Sequence, residues 1–203
     1  MAQPAFRLIL PDRDDGRTWP SQGEWTYEDY LRLPDDGRRY EVIHGHLYWT
    51  PNPGYDHQFA VTRCLVSLDA FVDPRKLGTV LTRPFDILLP RGIASPVEPD
   101  LIFFKRGNQP QRGDQSFAGV PNLVVEVLSP ETRRRDCRIK LEAYQEAGIP
   151  EYWMIDPEAR TAIVHALEAG KSYRELCRGG MGAAVWSSVL PGFCLEVSGL
   201  FPA

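Results

Sequence analysis

The chain lacks the features that mark several large classes of protein. Among its 203 residues the four cysteines, Cys64, Cys137, Cys177 and Cys194, are scattered, and no two form a Cys-x-x-Cys pair. That spacing gives neither a zinc-ribbon pattern nor a disulfide framework, so reduced, buried thiols are expected. No segment approaches the roughly 18 consecutive apolar residues that a membrane span requires. The opening MAQPAFRLILPDRDDGRTWP holds one short apolar patch, without the longer apolar region and small-residue cleavage site of a secretory signal. A cytoplasmic protein without membrane contact is the expectation. No Gly-x-Ser-x-Gly elbow supports a serine hydrolase. Internal repeats and low-complexity tracts are also missing. There is no basic excess either: the formal net charge is -4, which does not advertise a nucleic-acid binder, although local segregation of charge leaves one open.

What is present is a chain that is 43% apolar, ample for a substantial core. Residues 1–24, rich in Asp, Arg, Pro and Gly, read as a loose arm. Residues 25–203 read as a single domain with its core over about residues 40–158. Thr26-Tyr27-Glu28-Asp29 is a capping-box start to a short helix. RRYEVIHGHLYWTP alternates as two strands around His44-Gly45. From Tyr55 to Val72, Phe59, Cys64, Leu65, Leu68, Phe71 and Val72 recur at helical spacing. Strands are expected over Gly78–Leu89 with a break near Pro84, over Glu98–Phe104 and over Asn122–Leu128, the last two joined by a polar loop, Lys105–Gly119. A second helix, Thr132–Ala147, carries Leu141, Tyr144 and Ala147 on one side and stops at Gly148. EYWMI is a further strand, Asp156-Pro157-Glu158 turns the chain, and TAIVHAL, KSYRELC and PGFCLEV form a β tail. A helix between the third and fourth strands makes those two parallel, while the earlier strands can pair antiparallel, giving a mixed sheet with helices on its faces.

Within this pattern, one acid stands out. In Val124-Val125-Glu126-Val127-Leu128, alternation sends Val125 and Val127 to one face and Val124, Glu126 and Leu128 to the other. A lone carboxylate buried among apolar neighbours costs several kcal/mol unless it is paired or neutralised. A strand end near solvent, or an arginine partner, would explain Glu126 by itself. Asp100, which enters the neighbouring apolar strand as Pro99-Asp100-Leu101-Ile102-Phe103-Phe104, adds a second acid beside it. Two carboxylates on adjacent strands repel each other unless a cation lies between them, and oxygen ligands suit Mg²⁺ or Mn²⁺. As a turn initiator, Pro-Asp needs no metal. Lys140 has two uses open to it: an exposed ion pair with Asp136 at the preceding helical turn, or projection toward the acids, where its amine deprotonates water or its ammonium positions water and offsets phosphoryl charge. Arg133, Arg134 and Arg135, with Arg138, stand at the helix entrance, either as a solvated face or as phosphate contacts.

Taken in order, YEVIHG, PNPGYDHQ, RPFDILL, EPDLIFF, GVPNLVVEVLSPET and GIPEYWMIDPE resemble the Uma2 family of endonucleases in the PD-(D/E)XK superfamily. The resemblance spans roughly Tyr40 to Glu158. It implies an α/β fold with a restriction endonuclease-like αβββαβ core, a mixed central sheet flanked by helices, an N-terminal helix and hairpin, and a C-terminal β extension. It implies metal-dependent hydrolysis of phosphodiester bonds, in DNA, with Mg²⁺ or Mn²⁺ as cofactor. Asp100 and Glu126 would be metal ligands and the carbonyl of Val127 a third. The superfamily's usual lysine falls at Leu128, which has no amine, and its role passes to Lys140. Glu41 matches an acid that contacts the metal or its ligands, and His57 a histidine with a substrate role; Arg133, Arg134 and Arg135 would contact substrate. The family's hairpin commonly reads acid-Gly-acid, whereas this chain has His44-Gly45-His46, exposed or satisfied histidines rather than ligands. The missing lysine at position 128 and the acidic net charge keep an alternative in view: a catalytically inactive nuclease fold used for nucleic-acid binding or assembly. Cutting both strands of a duplex calls for two sites, which a homodimer would supply.

Overall fold

The computed structural model describes residue 16, residues 18–169 and residues 172–202. Thr26 begins the first helix, α1 (Tyr27–Tyr30), through a capping box: its hydroxyl accepts from the Asp29 N–H, and the Asp29 carboxylate accepts from the Thr26 N–H. Strands β1 (Arg39–Ile43) and β2 (His46–Thr50) form the expected hairpin, closed by His44 and Gly45 at φ of 49° and 69°. Two central residues of positive φ give a turn whose twist matches that of the strands. Glycine is required at position 45, because a Cβ there would lie 2.3 Å from the Gly23 carbonyl oxygen. Residues 18–24, expected as part of a loose arm, pack on the hairpin: the Gly23 N–H donates to the Gly45 carbonyl at 2.8 Å, and Trp19 stacks on Trp25 with centroids 5.5 Å apart. The rest of the arm, residues 1–15 and 17, lies outside the described residues.

The chain continues through α2 (Tyr55–Val72), β3 (Gly78–Thr82), β4 (Asp86–Leu88), β5 (Leu101–Lys105), β6 (Ser116–Ala118) and β7 (Leu123–Val127). A helical run from Arg133 then includes a π-wound stretch, Arg135–Lys140, and α3 (Leu141–Ala147), ended by Gly148 at φ 84°. β8 (Glu151–Asp156), β9 (Thr161–Leu167), β10 (Tyr173–Gly179), β11 (Ala184–Trp186) and β12 (Cys194–Glu196) follow. Six strands form the central sheet in the order β10-β9-β8-β7-β5-β3. The pair β7–β8, joined by the helical run, is parallel, and the other pairs of that sheet are antiparallel. The expected break at Pro84 separates β3 from β4, and β6 arises inside the segment expected as a loop.

Alternation along β7 sorts the core as expected. Val125 and Val127 join Ala60, Cys64, Leu68 and Val72 of α2 on one face. Val124 and Leu128 join Ala143, Tyr144 and Tyr152 on the other, and this is the face on which Glu126 emerges. In the α2 stripe Phe59, Leu65 and Phe71 are only partly buried; Leu65 and Phe71 still pack on the core, whereas Phe59 leans on Tyr55. All four cysteines are free; Cys64 and Cys177 are buried as expected, whereas Cys194 is exposed. No helix among the described residues is long and apolar enough to cross a membrane.

Candidate active site

Strand register builds the site. Thr82 lies opposite Leu101, and Leu101 opposite Val125. Continued by one residue, these registers set Arg83 beside Asp100 and Asp100 beside Glu126, a row across the ends of β3, β5 and β7. Cross-strand neighbours stand about 4.5–5.5 Å apart, close enough for long side chains to meet. Asp100 is 1% exposed. Its Oδ1 takes the Arg83 guanidinium, while its Oδ2 accepts from the Val127 N–H at 2.8 Å and lies 3.2 Å from His57 Nε2. Burial acts to raise the Asp100 pKa, but His57, Arg83 and the Val127 N–H outweigh it and hold the carboxyl at about 2.

Glu126 belongs to a second, adjoining network. Its Oε1 accepts from Lys140 Nζ at 2.8 Å and from the Tyr144 hydroxyl at 2.7 Å. Lys140, 1% exposed, also lies 2.8 Å from Glu41 Oε1 and 3.8 Å from Asp136 Oδ1. Glu41 Oε1 accepts in addition from the Glu98 N–H at 3.0 Å. Arg135 approaches from the π-wound stretch, donating to Thr50 Oγ1 at 2.8 Å, with its Nε 3.6 Å from Glu41 Oε2 and 3.8 Å from Asp136 Oδ1. Those last distances are ion pairs too long for hydrogen bonds, and they leave Glu41 Oε2, Asp136 Oδ1 and Arg135 Nε buried without a hydrogen-bond partner.

Electrostatics divides these groups. Burial would lift Glu41, but the charges of Lys140 and Arg135 prevail and bring it to about 2. Lys140 goes the other way: burial disfavours its ammonium, yet Glu126, Glu41 and Asp136 raise its pKa, so it stays charged. Burial pushes Glu126 up to about 8, with Lys140 opposing and the carboxylates of Asp136, Asp100 and Glu41 adding to the rise. Lys140 is thus the persistent charge of the pair. Glu98 is pushed up to about 7 by burial, then by Glu41 and Asp86, and its Oε2 has no hydrogen-bond partner.

A cavity of about 500 Å³ opens where β7 and β8 end, lined by Leu128 and Asp156 together with His57 and Tyr55 at the start of α2. His57 connects it to the carboxylate row: its Nε2 is on Asp100, and its Nδ1 is buried without a partner. The arginine cluster expected at this rim is split. Arg133 is held by Asp156 at 2.6 Å, Arg134 is exposed, and Arg135 points inward to the acids. Arg135 is therefore removed from the surface on which a substrate contact was expected. His44, 41% exposed on its side chain, pairs with Glu146 at 3.0 Å, and His46 Nδ1 sits 2.9 Å from the His44 carbonyl; the hairpin histidines are satisfied as expected.

The expected residues Asp100, Glu126, Lys140, Glu41, Val127 and His57 are thus brought together. Three further participants escaped the sequence. Arg83, within the RPFDILL motif, is legible only once β3 and β5 are in register. Tyr144 was expected in the core, and its hydroxyl partner follows from i,i+4 spacing to Lys140. Asp136 was considered only as a partner for an exposed Lys140. Among the described residues, no three His, Cys, Asp or Glu side chains converge as a ready-made metal cage.

Mixed strand order, a helical crossover between β7 and β8, and acids at the facing ends of β5 and β7 define a restriction endonuclease-like fold. The Uma2 sequence pattern, described as "Putative restriction endonuclease", matches residues 27–198, and the chain belongs to that family. A crystal structure from Anabaena variabilis, described as "a putative nuclease belonging to DUF820", is similar in fold, with a TM-score of 0.73 and 20% identity over 87% of this chain and 97% of that one. No curated protein matches the sequence.

Proposed function

We propose that this protein is a metal-dependent endonuclease that hydrolyses phosphodiester bonds in DNA. The observation that carries it is the buried row of Asp100 and Glu126 on facing strand ends, with Lys140 Nζ 2.8 Å from Glu126. The donors fit a hard divalent cation. They are oxygens, and the neighbouring carboxylates of Asp136, Asp100 and Glu41 add to burial in raising the Glu126 pKa, so a cation bound beside Glu126 would favour its ionised form. The partnerless Glu41 Oε2 and Asp136 Oδ1 point the same way. Asp100, Glu126 and the carbonyl of Val127 would hold Mg²⁺ or Mn²⁺. Bound there, the ion would lower the pKa of a water and counter charge on the departing oxygen.

The chain's own residues divide the remaining work. Lys140, fixed between Glu126 and Glu41, keeps an ammonium at the row, where it offsets negative charge growing on a phosphoryl group. Its raised pKa suits it to that electrostatic role rather than to abstraction of a proton. Glu41 holds Lys140 in place. His57 joins Asp100 to the cavity, where substrate would approach, and Arg133 stands at its rim, with the exposed Arg134 next to it in the chain.

One observation favours the alternative of a binding protein without hydrolysis: Arg83 already occupies Asp100 Oδ1. Cleavage of plasmid and of single-stranded oligonucleotides with Mn²⁺ or Mg²⁺ separates the two. The intact chain should cleave at least one of them, and Asp100→Asn and Lys140→Met should each lose about 100-fold or more, on the scale of removing one transition-state contact. Cleavage that survives both substitutions overturns the assignment, and salt-sensitive DNA binding by a chain that never cleaves establishes the alternative.

A further inference from the structure

The cavity beside the carboxylate row has walls unlike those of a surface that grips duplex DNA. Tyr55 stands at its rim with 72% of its surface exposed, and Phe59 braces the ring from 6.0 Å. The charged side chains of the mouth are mainly acids: Asp56, Glu131, Asp156 and Glu158 against Arg133, and Arg133 is engaged by Asp156 at 2.6 Å and Glu158 at 3.6 Å. His57 closes the inner wall, with 8% of its side chain exposed and Nδ1 lacking a partner.

Ionised carboxylates only accept hydrogen bonds, so these walls require a ligand rich in N–H donors. They also repel phosphates, which a duplex presents about every 1.7 Å. Within a nucleic acid, the parts that donate several N–H groups and stack on an aromatic ring are the amino-bearing bases, adenine, cytosine and guanine. Inside a duplex those amino groups are paired and the ring faces are covered. We propose that the cavity receives an unpaired, amino-bearing nucleobase, stacked on Tyr55 with its amino edge toward Asp56 and Glu131, so that the chain acts at single-stranded or flapped sites rather than on continuous duplex. This substrate class rests on the nuclease assignment above, but the binding step can be measured without cleavage.

The test uses the full chain in EDTA, with fluorescence anisotropy of labelled oligo-dC, oligo-dA, oligo-dT and a blunt duplex, and 2-aminopurine emission as a stacking signal. Oligo-dC and oligo-dA should bind about tenfold more tightly than oligo-dT or duplex, and 2-aminopurine should be quenched. Tyr55→Ala should weaken oligo-dC binding about tenfold and abolish the quench, while Tyr55→Phe keeps both. Asp56→Asn combined with Glu131→Gln should narrow the gap between oligo-dC and oligo-dT. Duplex bound as tightly as single strands, oligo-dT equal to oligo-dC, no binding of any strand, or indifference to Tyr55→Ala would each overturn the proposal. Absence of cleavage of single-stranded oligonucleotides with Mn²⁺ would defeat the nuclease assignment and leave these binding results standing.

Discussion

Two buried glutamates on neighbouring strands of one sheet are stabilised by opposite means. Glu151 opens β8 opposite Leu123, and Glu126 lies further along β7 opposite Met154, so they sit toward opposite ends of the same parallel pair. Glu151 is 0% exposed, and among the described residues its carboxylate accepts hydrogen bonds from neutral groups: the Trp153 indole at 2.7 Å, the Ser187 and Ser188 hydroxyls at 2.6 Å each, and the Ser188 N–H at 2.7 Å. Glu126 instead shares Lys140 with Glu41 and has other carboxylates close by. A carboxylate saturated by neutral donors fixes the segment that supplies them, here the connection from β11 to β12. A carboxylate held by shared ions leaves some groups imperfectly satisfied, and this is the condition under which an added cation or phosphate can reorganise a site without unfolding the chain.

That contrast is open to direct attack. The largest effect is expected for Lys140→Met, which strands Glu126 and Glu41 together; breaking a buried pair by removing one partner costs about 3–5 kcal/mol. Adding Glu126→Gln should recover part of that loss, and urea unfolding of the single and double variants would show it. If the double variant is no more stable than the single, the carboxylates are not coupled through the lysine. Glu151→Gln comes next, at about 1–3 kcal/mol for mismatched buried donors. Its signature is spatial: hydrogen exchange should rise over residues 187–201 while cleavage is unchanged. A loss of cleavage at constant fold would erase the distinction between anchor and site. A third test concerns Glu98, pushed from 4.5 to about 7. A carboxyl whose folded pKa lies above its unfolded value binds its proton more tightly when folded, so stability falls as pH rises between those two values, by at most about 1.4 kcal/mol per pH unit for one proton. Thermal melts from pH 4 to 8 should show that decline in the intact chain and a flatter profile in Glu98→Gln.

Much of the fold was legible because it depends on local periodicity. Alternation placed Val125 and Val127 opposite Val124 and Leu128, helical spacing bounded α2 at Tyr55 and Val72, and Gly148 marked the stop of α3. The acids and Lys140 were legible as a set because ionisable residues inside apolar strands demand partners. Arg83 was not, since its neighbour depends on the pairing of β3 with β5, and strand register is a tertiary choice. The inward turn of Arg135 escaped for a related reason. A run of three arginines looks the same whether its helix is α-wound or π-wound, and the π winding begins at the third of them, Arg135. The short strands β6 and β11, three residues each, have too little periodicity to register.

The π-wound stretch Arg135–Lys140 has an evolutionary corollary. Such a bulge amounts to one supernumerary residue in an otherwise α-helical segment. Excising a single residue there would tighten the coil and swing everything upstream or downstream by about 100°, the angle per residue of an α-helix. Either Arg135 and Asp136 or Lys140 and Tyr144 would then face away from Glu126. Length changes in this helix are thus far less neutral than equal changes in a loop such as residues 106–115, and a natural variant one residue shorter here would have to rebuild its charge network from other positions.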